Sequence, residues 1–274
     1  MEIATIVKCS FIDYPSKIAA VVFTPGCNLR CHFCHNRRII DGDSVTCGTT
    51  QKEAIAWLET RHGLLDAVVI SGGEPTLQTG LPEFIEEVRA LGYLAKLDTN
   101  GTQPAVLAAL LETGLLDYVA MDIKAPRDKY DAICGVPVDQ SAIDESIALL
   151  MGGGIEYEFR TTVVPLLTPD DLLAIGNRIR GAQAYVLQQY RELQPIGRPY
   201  DPHGALSPGP PAWLDAVQQR LCPKVEDCSF RGFEVRPERQ AKRTETFLKL
   251  PPPYGWNAGL AAEHRRTSDD AESC

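Results

Sequence analysis

No uninterrupted apolar run in the 274 residues approaches the roughly 18 that a membrane-spanning helix needs. Positive charge is also scarce, with 27 lysines and arginines against 36 aspartates and glutamates and a formal net charge of −9. That balance excludes a nucleic-acid binder held by a broad basic surface. Met1-Glu2-Ile3-Ala4 lacks the positive start and apolar core of a secretory signal, so a cytoplasmic location is the expectation. An apolar share of 44% and a charged share of 23% fit an ordinary globular chain, long enough for one large domain.

Paired cysteines at regular spacing are missing too. Nine cysteines is an odd number; Cys9, Cys47, Cys134, Cys222, Cys228 and Cys274 are scattered, and three more crowd into eight residues. A disulfide framework does not suit this pattern. His32, His35, His62, His203 and His264 form no second metal constellation, and no acid–base pair or nucleophile triad stands out. Cys222 and Cys228 read as unligated thiols.

What is present is alternation. Strand-like runs at Ile18–Phe23, Asp66–Ser71, Leu94–Asp98, Tyr118–Ile123, Glu156–Val164 and Ala184–Gln189 alternate with helical patterns. Those patterns cover Thr50–Arg61 (Ala54, Ile55, Trp57 and Leu58 inward), Leu81–Leu91, Pro104–Glu112, Ser141–Met151 and Pro169–Arg180. Six strands alternating with helices imply a parallel sheet with helices outside, either doubly wound or curved into a barrel. Ser71-Gly72-Gly73-Glu74, Asp98-Thr99-Asn100-Gly101 and Asp122-Ile123-Lys124 sit at strand ends, and Arg160 lies within the fifth strand. In a barrel those ends converge on one mouth, which favours a partial (β/α)6 barrel related to the TIM type. One domain over 1–250 is expected, with an extension from about 192 that includes a loop near 195–211. The tail 251–274 is expected to be disordered.

Cys27, Cys31 and Cys34 are spaced C-x3-C-x2-C. Three thiolates on one loop can hold three corners of an iron–sulfur cubane and leave the fourth iron open; soft thiolates also suit zinc, which normally wants four protein ligands. The sequence here resembles the radical S-adenosylmethionine (SAM) superfamily. Its narrower likeness is to the activating proteins of anaerobic ribonucleoside-triphosphate reductase. Phe11-Ile12-Asp13-Tyr14-Pro15, Phe23-Thr24-Pro25-Gly26-Cys27-Asn28-Leu29-Arg30-Cys31 and Cys34-His35-Asn36 carry that likeness over about residues 3–190. The resemblance implies one 4Fe–4S cluster on Cys27, Cys31 and Cys34 and reductive cleavage of SAM to a 5′-deoxyadenosyl radical. That radical would then take hydrogen from a glycine of an anaerobic ribonucleotide reductase. An electron donor such as flavodoxin or ferredoxin is implied as a second partner. A radical enzyme acting on a small molecule, like 7-carboxy-7-deazaguanine synthase, is the alternative, and a zinc- or cluster-bearing interaction module is a third reading.

The other motifs each have two readings. Gly72-Gly73-Glu74-Pro75 is a tight turn with a helix-start proline, or glycines admitting a ligand beside a carboxylate that accepts from an ammonium; the resemblance implies the methionine amino group. Asp98-Thr99-Asn100-Gly101 is an Asx-type turn or part of a cofactor site. Asp122 and Lys124 share a strand face, so a salt bridge is the bland reading. By resemblance, Asp98, Thr99 and Asp122 hold a monovalent cation, and Lys124 lies near the methionine end. Arg160 takes either an internal carboxylate or the cofactor. Phe33 packs in the core or lies beside adenine. Gln188-Gln189-Tyr190-Arg191 departs from relatives that carry a histidine there.

Overall fold

In the computed structural model, which describes residues 1–40, 49–191 and 213–232, the six apolar runs form six parallel strands. They are β2 (Ala19–Thr24), β3 (Ala67–Gly72), β4 (Leu94–Thr99), β5 (Tyr118–Asp122), β6 (Glu156–Val163) and β7 (Ala184–Gln189). Two further strands were not anticipated. β1 (Thr5–Ser10) pairs antiparallel with β2, and β8 (Asp227–Arg231) pairs parallel with β7. Both are edge strands, short of the fully apolar sequence that marks the inner ones.

The helices between them are α1 (Arg37–Ile40), α2 (Gln51–Glu59), α3 (Leu81–Ala90), α4 (Pro104–Glu112), α5 (Tyr130–Cys134), α6 (Gln140–Gly152), α7 (Pro169–Arg178) and α8 (Leu214–Leu221). Local chemistry sets several starts. Thr50 with Glu53, and Thr168 with Asp171, form capping boxes, and Asp139 caps α6. On α2, Ala54 and Leu58 are buried while Ile55 and Trp57 are partly so. Pro75 opens a 3-10 turn, Pro75–Leu77, instead of the next α-helix.

The strand order decides between the two architectures. It runs β1 to β8 in chain order, whereas a doubly wound sheet reverses direction at a switch point. Residue alternation agrees. Ala20, Val22, Val68, Ile70, Ala95, Leu97, Val119 and Met121 join the helices in the main core. Ala19, Val21, Ala67, Val69, Tyr118 and Ala120 form a second, helix-free cluster with Tyr14. Small side chains suit the concave inside of a curved sheet. The result is a partial barrel with β1 and β8 as its edges.

Its floor is the loop after β1. The Lys96 ammonium, on a side chain 1% exposed, donates to the Asp13 carbonyl, and the Tyr14 and Tyr118 rings lie 5.6 Å apart. Met1–Phe233 forms one compact unit, and the second unit, Glu234–Cys274, lies outside the described residues. The loop expected near 195–211 and the tail 251–274 also lie outside them. No helix among the described residues is long and apolar enough to cross a membrane.

Candidate functional site

β2 leads directly into the cysteine loop at the C-terminal mouth of the sheet. Gly26 takes a left-handed φ of 73° to turn the chain there, and buried Leu29 anchors the loop in the core. Cys31 is buried, whereas Cys27 and Cys34 are half-buried. The Leu29 N–H points at the Cys27 sulfur (3.4 Å), Cys34 N–H donates to Cys31 O (3.2 Å), and the Arg37 guanidinium donates to Cys31 O (3.0 Å). Among the described residues, no set of three or more His, Cys, Asp or Glu is arranged around a single ion. A cubane differs from mononuclear zinc in taking each thiol at a separate iron.

The Gly72–Pro75 segment is built against this loop. Gly73 N–H donates to Thr24 O and Glu74 N–H to Gly26 O, both at 2.9 Å, and the Asn36 amide donates to Gly72 O at 2.9 Å. A Cβ on Gly73 would lie 1.7 Å from Gly26 O, and one on Gly72 would lie 2.3 Å from Thr24 N. In this structure, then, the two glycines admit the cysteine loop itself.

Glu74 turns inward and is 1% exposed. Its Oε1 accepts from Thr76 Oγ1 (2.6 Å), Thr76 N (3.2 Å) and Thr99 Oγ1 (2.7 Å), while Oε2 accepts from Asn100 N (2.7 Å). The carboxylate thus ties the end of β3 to the end of β4. Burial raises its pKa, and the hydrogen bonds from Thr76 and Thr99 oppose that rise. Asn100 completes the join: its amide donates to Asn28 Oδ1 (2.9 Å), and Asn28 in turn donates to Thr102 Oγ1 (2.8 Å).

Asp98, Asp122, Lys124 and Arg160 come together as the sequence suggested, but as an ion-pair network. Arg160 Nε lies 2.8 Å from Asp122 Oδ1 and its Nη1 lies 3.3 Å from Asp98 Oδ2; Lys124 Nζ lies 2.9 Å from Asp122 Oδ2. Lys96 Nζ lies 3.1 Å from Asp98 Oδ1, an ion pair without an aligned hydrogen bond. The guanidinium of Arg160 therefore stands between the two aspartates expected to hold a monovalent cation, and the Thr99 hydroxyl is committed to Glu74. Burial would raise both aspartates, but Arg160 first, with Lys96 at Asp98 and Lys124 at Asp122, lowers both, Asp122 well below the usual carboxylate range. In this geometry Arg160 pairs with two internal carboxylates.

Lys124 also serves the thiols. Burial opposes its charge, yet Asp122 and then Cys31 raise its pKa, and its ammonium lies 5.9 Å from the centre of the Phe33 ring. Burial raises the Cys27 and Cys34 thiols, with Lys124 pulling the other way at each. Cys31 goes down, chiefly through a hydrogen bond from the Cys134 thiol, with burial opposing and Lys124 assisting. Soft donors on one loop with a shared ammonium beside them fit the thiolate ligation that an iron–sulfur cluster requires.

Thr76 as a latch, Lys96 inside the barrel and Cys134 under the loop carried no sequence signal, and Asn28 and Asn36 stood out only as members of the cysteine motifs, not as latches. Glu158, buried inside β6, accepts both Nη atoms of Arg231 from β8 (2.9 and 2.5 Å). Only inward alternation along β6 could have exposed that pair, and β8 was not recognised as a strand. His35 reaches the Gln188–Arg191 segment, with Nε2 3.0 Å from Arg191 O.

Residues 21–179 match the profile of the radical SAM superfamily. A Methanocaldococcus jannaschii protein provisionally assigned as a glycyl-radical enzyme activating enzyme is 35% identical over 194 residues, covering 69% of this chain and 79% of that protein. The pyruvate formate-lyase 1-activating enzyme of Escherichia coli K12 is 30% identical over 175 residues, covering 60% and 68%. Among solved structures, SuiB of Streptococcus suis bound to S-adenosylmethionine aligns with a TM-score of 0.52 at 13% identity, over 77% of this chain and 48% of that one. That likeness concerns the fold alone, and this chain spans about half the length of that protein.

Proposed function

The chain belongs to the radical SAM superfamily, and we propose that within it this enzyme is an activase that places a glycyl radical on an anaerobic ribonucleoside-triphosphate reductase. The observation that supports the activase part of this reading is the extent of the similarity, while the choice of reductase rests on the likeness of the Phe11–Pro15, Phe23–Cys31 and Cys34–Asn36 motifs. The similarity runs over 69% of the chain to one provisionally assigned activating enzyme and over 60% to another.

Cys27, Cys31 and Cys34 would hold one 4Fe–4S cluster. When bound, the cluster and SAM supply the one-electron chemistry that yields the 5′-deoxyadenosyl radical. This chain's residues position and shield. Asn36, Glu74 and Asn100 lock the cysteine loop to the ends of β3 and β4, so the walls of the site are set before ligands arrive. The backbone of Gly72–Glu74 lies along that wall, where the methionine amino group is proposed to sit. The Glu74 carboxylate acts from behind as a positioning group.

Phe33 is proposed to border the adenine, with Lys124 and Arg160 facing the methionine carboxylate. Asp98 faces this group from behind, its Oδ1 buried and paired with Lys96 and its Oδ2 with Arg160. A monovalent cation on Asp98, Thr99 and Asp122 would have to displace the Arg160 guanidinium, so dependence of SAM affinity on potassium concentration tests that proposal. Flavodoxin or ferredoxin is the proposed electron source.

The test combines anaerobically reconstituted, reduced protein with SAM and an anaerobic ribonucleotide reductase, followed by electron paramagnetic resonance. A glycyl radical on the reductase is the expected outcome. Robust SAM cleavage with no radical on any glycyl partner would turn the reading toward a small-molecule substrate.

A further inference from the structure

On β6, Tyr157 and Phe159 pack into the main core, so strand alternation puts Glu158 and Arg160 together on the inner face of the barrel. Glu158 is 2% exposed, and a carboxylate so buried needs a cation or a set of donors. Among the described residues its donors are two. The Tyr118 hydroxyl lies 3.3 Å from Oε2, and Arg231 Nη1 and Nη2 lie 2.9 and 2.5 Å from Oε1 and Oε2. Arg231 does not come from a neighbouring strand. It sits on β8 beside Gln188 of β7, and its side chain reaches across β7 to β6. An edge strand thus supplies a two-pronged grip on a charge inside the barrel.

The next charge along β6 gives that grip a consequence. Arg160 lies 2.8 Å from Asp122 and 3.3 Å from Asp98, at the ends of β5 and β4, and Glu158 is the third carboxylate acting on it. With both Glu158 oxygens held by Arg231, Arg160 stays turned toward the mouth. Without Arg231, Glu158 would be a buried anion whose neighbour on the same strand face is Arg160.

We propose that Arg231 is a positioning residue for SAM binding: by gripping both oxygens of Glu158 it keeps the Arg160 guanidinium between Asp98 and Asp122, where it faces the methionine carboxylate. This inference rests on the reading of Arg160 as a contact of that carboxylate. β8 then has a task in the site without touching the ligand.

The test measures the dissociation constant for SAM on anaerobically reconstituted wild type, Arg231→Met and the double variant Arg231→Met/Glu158→Gln, with iron content and melting temperature on the same samples. Arg231→Met is expected to bind SAM about tenfold more weakly at unchanged iron content. The double variant, in which an amide replaces the competing charge, is expected to return to within about threefold of wild type. Wild-type affinity in Arg231→Met overturns the proposal. So does a double variant as weak as the single one, since the loss would then come from the packing of β8. If Arg231→Met does not fold, Arg231→Lys against wild type decides. Lysine brings the charge but not the fork, so weakened SAM binding at wild-type iron content upholds the grip, and wild-type binding overturns it. SAM affinity unaffected by Arg160→Met would instead refute the reading of Arg160 on which the inference rests.

Discussion

Glu74 accepts four hydrogen bonds, two from backbone N–H groups and two from hydroxyls, inside a site with almost no solvent. A carboxylate suits that environment because every neighbour donates. In Glu74→Gln the new NH2 would face donors, so an unfolding titration is expected to show a loss of about 1–3 kcal/mol. A stability equal to wild type would mean that Glu74 faces a ligand instead. Asp98 and Asp122 set a pH limit of their own. Their folded pKa values are depressed, so the stability they contribute is fully present above the unfolded value, about 4, and is lost as pH falls through the folded values. Glu74, with a raised pKa, contributes in the opposite sense. Urea midpoints are therefore expected to fall steeply below about pH 4, and less steeply in Asp122→Asn; parallel curves would remove the network from the explanation. The cysteines were legible because spacing alone specifies them. The inward turn of Glu74 and the capture of Arg160 by two aspartates were not, since both depend on which partner a folded neighbour offers.

At the scale of elements, the six inner strands were legible because strands covered by helices must be apolar on both faces. β1 and β8 escaped because each is paired on one side only and carries few apolar residues. Missing β8 also hid Arg231, which reaches from that edge to buried Glu158. The glycines were legible as a close approach, although in the structure what approaches is the cysteine loop. Gly73→Ala should therefore act through the loop, because the clash is with backbone oxygen and no side chain can move away. A well-folded variant with markedly lower iron content after reconstitution is expected; full iron content with weakened SAM binding would restore the ligand-approach reading. On the floor, Lys96 joins β4 to the loop after β1. Lys96→Met leaves Asp98 without one of its two cations, and removing one partner of a buried pair typically costs about 3–5 kcal/mol. A thermal melt checks this, and a wild-type melting temperature would contradict it.

For the molecule as a whole, curvature explains why groups far apart in sequence share one site. Strands in simple chain order bring the ends of β2, β3, β4 and β5 side by side, and Arg160 reaches that rim from β6. The partial barrel was legible from the polar residues at successive strand ends. Superfamily membership follows from the profile match, and the similarity to activating enzymes extends over more than half of the chain. The central claim is that Cys27, Cys31 and Cys34 hold the cluster with which this radical SAM enzyme cleaves its cofactor. The most direct measurement is 5′-deoxyadenosine formed from SAM by anaerobically reconstituted, reduced protein, with iron content determined on the same sample. The account predicts product from wild type and none from Cys31→Ala. Undiminished product from Cys31→Ala, or wild type that binds zinc in place of iron and forms no product, would contradict it.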